Sequence, residues 1–177
     1  MGNLYTVGHS NRDVEEFVAM LLSVGVSRVV DVRKLRGSAR YPQFDADALA
    51  SSLGASGIDL VASPALAGRR PVSRDVGFDV NGWWTNRSFH NYADHALSAE
   101  FAEALQVLCD QAAAATVAIM CSEAVWWRCH RRIIADHLLA RDVPVLHLMA
   151  ASRAEPARLS EGAVVGRDGT LTYPAAR

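Results

Sequence analysis

Apolar residues along this chain alternate between short runs of strand length and longer stretches with a helical spacing. The first run, Leu4, Tyr5, Thr6 and Val7, gives way to the polar segment Gly8-His9-Ser10-Asn11-Arg12. Asp13 then stands before a helix with apolar positions at Val14, Phe17, Val18, Leu21 and Leu22, and Gly25 ends it. A second run at 27–32 closes on Asp31-Val32-Arg33. After an Arg-containing loop, 46–55 reads as a helix stopped by Gly57. Residues 58–61 give a weak third strand. The stretch 64–89 is loop-like, and its two tryptophans, Trp83 and Trp84, argue against disorder. Helical spacing returns over 91–115, interrupted near Ser98, which caps a segment holding Phe101, Leu105, Leu108 and a packing thiol, Cys109.

The run at 116–121 is the one the chain is organised around, because it ends abruptly in Cys121, Ser122 and Glu123. Cys129, His130, Arg131 and Arg132 then open a helix carrying Ile133, Ile134, Leu138 and Leu139. A buried strand at 143–149 has His147 near its end. The tail reads as a hairpin, 163–165 and 170–173 turning over Gly166 and Gly169. Strands alternating with helices predict an α/β domain over 1–177: a mostly parallel sheet of about five strands, Rossmann-like in three layers, with a C-terminal β-hairpin. In such sheets ligands gather beyond the carboxyl ends of the strands. That edge should therefore collect His9, Ser10, Asp31, Arg33 and Cys121.

Composition changes this picture little. Half the residues are apolar and 21% are charged, which is ordinary globular usage. The formal net charge of -1 excludes a strongly basic protein but leaves room for a local basic groove, since 17 of the 18 cations are Arg and only Lys34 is not. Arg suits bidentate contact with phosphate or carboxylate. Three cysteines at unrelated spacings argue for reduced thiols over a disulfide framework. With no charged leader and no long apolar span, a soluble cytoplasmic protein is expected.

Cys121 is the candidate nucleophile, because a thiol between a strand end and a helix N-terminus, with Arg33, Arg128 and Arg131 in reach, ionises readily. Packing alone is the competing account, as unpaired cysteines are often simply buried. His9 and His130, each at a strand-helix junction, are the acid-base candidates, and Glu123 is the carboxylate to orient the base. Ser10, Asn11, Asp31, Arg33, Arg128, Cys129 and Arg131 complete the expected site as substrate-binding residues, although Asp31 with Arg33 reads slightly better as a structural ion pair. The segment has the position of a phosphatase cradle but not its spacing. Six residues separate Cys121 from Arg128 and none is glycine, which discounts tyrosine-phosphatase chemistry. Cys121, Cys129 and His130, completed by Glu123, His9 or His147, form the alternative of a zinc or iron site, but their spacing lacks the close doublet of structural zinc sites. No metal or other cofactor is expected on that ground. A reversible Cys121–Cys129 disulfide is a third reading of the pair.

Five segments together resemble the domain-of-unknown-function family numbered 488. They are Gly8-His9-Ser10-Asn11-Arg12, Asp31-Val32-Arg33, Pro42-Gln43-Phe44, Tyr92-Ala93-Asp94, and Met120-Cys121-Ser122-Glu123 running on to Cys129-His130-Arg131. The family's Leu-Gly-Gly stands here as Leu66-Ala67-Gly68. The resemblance implies a compact α/β fold and an intracellular location, and it brings no settled activity. The residues themselves lead to a small cytosolic enzyme with a cysteine thiolate at a strand-end pocket, acting on an anionic, phosphate- or nucleotide-like substrate. A nucleic-acid-binding module built on Arg69, Arg70, Arg74 and Arg87 with Trp83, Trp84, Phe89, Trp126 and Trp127 is the alternative from another class. The expected partner is thus a small anion or a nucleic-acid component and no membrane, with self-association left open.

Overall fold

The computed structural model describes residues 2–176. Its chain runs β1 (Leu4–Gly8), α1 (Val14–Ser23), β2 (Arg28–Asp31), α2 (Ala46–Gly54), β3 (Asp59–Ala62), α3 (Arg87–His95), α4 (Ala99–Ala114), β4 (Val117–Cys121), α5 (Arg131–Leu139), β5 (Val145–Ala150) and β6 (Arg153–Pro156), then β7 (Val164–Val165) and β8 (Leu171–Thr172). The main sheet has the order β3-β2-β4-β1-β5-β6, with every pairing parallel except β5 with β6. The α/β architecture and the terminal hairpin, β7 with β8, are those expected from the sequence. The antiparallel edge strand β6 is additional. α3 starts at Arg87, earlier than the apolar spacing suggested, because Asn86 accepts the Phe89 N–H and caps it. Ser98 does the same for α4 through the Phe101 N–H. Gly25 and Gly57 take the left-handed conformations that stop α1 and α2.

Alternation along the strands sorts side chains between two cores. Val117, Ile119 and Cys121 of β4 face α3, α4 and α5, whereas Ala118 and Met120 face α1 and α2 with Phe17, Leu21, Leu49 and Leu53. β4 leaves the sheet towards α5 on one face. Its neighbours β1 and β2 both lead to helices on the other. That divergence opens a crevice beside Cys121, at the carboxyl edge where doubly wound sheets bind ligands. The strand ends stay stitched together past the sheet: His9 and Ser10 N–H donate to the Cys121 and Ser122 carbonyls, each at 3.0 Å, and Val32 N–H to that of Met120 at 3.0 Å.

The same closeness explains Gly8. A Cβ there would lie 1.8 Å from the Glu123 carbonyl oxygen, a backbone atom that cannot swing aside. Gly8→Ala is therefore expected to cost about 3 kcal/mol in urea unfolding, the upper end for overpacking. A variant as stable as the parent would contradict the stated packing. No helix among the described residues is long and apolar enough to cross a membrane.

Candidate active site

Strand parity divides the expected site residues into two groups. His9 and Asp31 continue the alternation that faces α1 and α2, and they join Arg33 and Phe44 in a buried network. Asp31 accepts from Arg33 at Nε (3.0 Å), Nη2 (2.8 Å) and the backbone N–H (3.1 Å), and from Arg36 Nε (3.1 Å). Arg33 Nη1 also donates to the Phe44 carbonyl at 2.6 Å. His9 stacks on the Phe44 ring at 4.2 Å and gives its Nδ1 proton to the Ser10 carbonyl, leaving Nε2 3.4 Å from Arg33 Nη1. Burial lowers its pKa to about 4, so the ring is neutral near pH 7. Each polar group here is used up by another, as in an ion pair that holds a loop.

On the other face the thiols meet. Cys121 ends β4, and Cys129 precedes α5 after the turn Trp126–Arg128, so both sulfurs reach the same point with the His130 ring. One ligating atom from each of the three lies within 4.8 Å of the others. His130 Nε2 faces the Val32 carbonyl at 3.1 Å, which can only accept, so the proton sits on Nε2 and the Nδ1 lone pair points to Cys129 Sγ at 3.7 Å. Gly68 makes room for this: a Cβ there would stand 2.8 Å from Nδ1. Tyr92 packs against the same ring at 4.8 Å and anchors itself by donating to the Leu66 carbonyl.

Arg131 supplies the electrostatics. It is 1% exposed, donates Nε–H to Cys129 Sγ at 3.4 Å and Nη2–H to the Glu123 carbonyl at 2.5 Å, and forms no salt bridge among the described residues. A buried cation without a carboxylate calls for some other negative charge. The Cys129 sulfur is the group placed to carry it. The neighbouring Cys121 thiol, then Arg131, hold the Cys129 thiol well below its ordinary range despite burial. Proximity to Cys129, then burial, pushes Cys121 up. Of the two, only Cys129 touches both His130 and Arg131. The thiolate expected at Cys121 is therefore better placed at Cys129, across the loop from β4 to α5. All three cysteines are free thiols here.

These groups floor a cavity of about 370 Å³, whose lining includes Cys121, Cys129, His130, Arg33, Glu123 and Arg128. Lys34, Arg69 and Arg128, all exposed, surround it with positive charge. Glu123 is exposed, and its backbone, not its carboxylate, engages Arg131. Ser10 and Asn11 line a separate cleft with Arg12 and Asp13, so they stand apart from the thiols. A larger cavity of about 720 Å³, with Phe78, Trp84, His90 and Asp94, holds no thiol. Lys34, Gly68, Arg69, Phe89 and Tyr92 join the thiol cavity without having been expected there. The segments Leu66-Ala67-Gly68 and Tyr92-Ala93-Asp94 were the available signals. Of the tryptophans, Trp84 is buried beside Phe89 and Tyr173, and Trp83 packs on that core, whereas Trp127 is 45% exposed. Arg70 donates to the Ala67 and Pro64 carbonyls, which occupies it within its own loop.

The family described as Domain of unknown function DUF488 matches residues 13–138. No curated protein and no solved structure matches the chain.

Proposed function

The chain belongs to the DUF488 family, whose description names no activity, and from the site itself we propose that it is an enzyme for an anionic, phosphate- or nucleotide-like substrate, with the Cys129 thiolate at the point of chemistry. The observation that carries this reading is Cys129 Sγ set between His130 Nδ1 and Arg131 Nε on the floor of a cation-rimmed cavity. Arg131 is the fixed counter-charge. His130, its Nε2–H held by the Val32 carbonyl, takes the Cys129 S–H proton on Nδ1 as the thiolate forms and can return it. Cys121 stands beside that sulfur, within 4.8 Å. Arg33 forms part of the wall while held by Asp31, and Lys34, Arg69 and Arg128 remain free to meet a substrate's negative oxygens.

Pyrophosphate is a suitable probe of this anion site. Calorimetry should show binding that weakens as salt rises, and weakens about tenfold or more in Arg69→Ala/Arg128→Ala, because a hydrogen bond to a charged group contributes about 1.5–3 kcal/mol. Absence of binding, or affinity indifferent to both arginines, would remove the anionic-substrate reading.

A further inference from the structure

We infer that Cys121, Cys129 and His130 form a coordination site for one soft divalent cation, zinc or ferrous iron, with its fourth position open to the cavity. The inference rests on reading that cavity as the reacting centre, and it gives the sulfurs a definite role there, as ligands. Two thiolates and one imidazole suit these ions, and three protein ligands with an open position is the arrangement of catalytic rather than structural zinc. The donor atoms already lie within 4.8 Å of one another without an ion between them. Tetrahedral zinc with bonds of about 2.3 Å to sulfur needs separations of roughly 3.8 Å, so a small inward movement completes the set.

The surroundings are those of a metal centre. His130 Nε2 donates to the Val32 carbonyl, which orients the ring and presents Nδ1 as a donor lone pair, a common outer-shell device for metal-bound histidine. Arg131 Nε donates to Cys129 Sγ and would steady a ligating sulfur in the same way. Gly68 keeps the Nδ1 side of the ring clear of a Cβ. Two thiolates neutralise a divalent ion, and buried Arg131 then leaves one positive charge over. The open position accordingly favours an anionic oxygen, from hydroxide or from the substrate, and Lys34, Arg69 and Arg128 favour the same sign.

Protein purified without chelator or affinity tag is expected to carry one equivalent of zinc or iron. After chelator treatment it should take up cobalt with a sulfur-to-cobalt charge-transfer band that falls in Cys121→Ser, is lost in Cys121→Ser/Cys129→Ser and is kept in Cys109→Ser. A thiol count on the wild-type chain covers the case in which those variants fail to fold: zinc should protect the Cys121 and Cys129 thiols from a disulfide reagent and leave Cys109 reactive. Failure of the chelator-treated chain to take up zinc or cobalt, a band undiminished in Cys121→Ser, or thiol reactivity unchanged by zinc would overturn the site. Pyrophosphate binding is measured separately on the metal-free chain. If it persists there without any metal uptake, only the metal site falls; if metal binds and pyrophosphate does not, only the anionic-substrate reading falls.

Discussion

Lowering the pH from 6.5 to 4 is expected to remove most of this protein's stability. His9, His137 and His147 are buried, and in each case burial lowers the pKa from 6.5 to about 4. Across that window the unfolded chain takes up protons that the folded one refuses, so stability is fully present above 6.5 and falls towards 4. Each ring titrates about 2.5 pH units lower when folded, which at about 1.4 kcal/mol per pH unit is at most about 3.5 kcal/mol. Three such rings together approach the whole stability of a small domain, about 5–15 kcal/mol. His95, also lowered by burial, acts in the same sense, and Asp136, raised by burial, acts against them. Urea unfolding at a series of pH values should show the decline. His137→Leu should flatten part of it, since its Nε2 is buried without a partner among the described residues. Stability that stays level from 6.5 to 4 would mean that these rings are not held neutral.

Asp31→Ala is expected to cost about 3–5 kcal/mol, the largest loss from any single substitution considered. The carboxylate is wholly buried and accepts four hydrogen bonds from Arg33 and Arg36, and the Arg33 side chain is only 4% exposed. Removing the anion leaves a guanidinium in the interior with one carbonyl acceptor and a distant imidazole. Urea denaturation measures this directly. A loss below about 1 kcal/mol would show that the network relaxes to water, an outcome typical of surface pairs.

Most strand and helix positions, the α/β class and the crowding of polar groups at strand ends were legible, because period-2 and period-3.6 patterns and abrupt ends are local properties. Strand order was not, since a purely apolar run such as 117–121 carries no record of its neighbours. Nor was the antiparallel edge strand β6, whose Arg-Ala-Glu-Pro has almost no apolar content. The site was half legible for one reason. Sequence placed His9, Asp31, Arg33 and Cys121 on one edge but did not register that alternate residues leave opposite faces, so His9 and Asp31 lie in an ion-paired network under α1 and α2 and Cys121 in a thiol cluster under α5, with Arg33 held in the first and lining the cavity of the second. From sequence Cys129 reads only as a substrate-binding residue, because its contacts with Arg131 and His130 arise from how the turn at 126–128 folds. That Arg131 is buried without an acid cannot be seen in a list of charges.

Metal-free protein labelled with iodoacetamide, with the modified cysteine identified by mass spectrometry, bears most directly on where the chemistry happens. Cys129 should react ahead of Cys109, because burial raises the Cys109 pKa, although Cys109 is the more exposed, and pyrophosphate should slow the reaction at Cys129 alone. Labelling confined to Cys109, or a rate at Cys129 that pyrophosphate does not change, would contradict a thiolate working at the floor of the anion cavity.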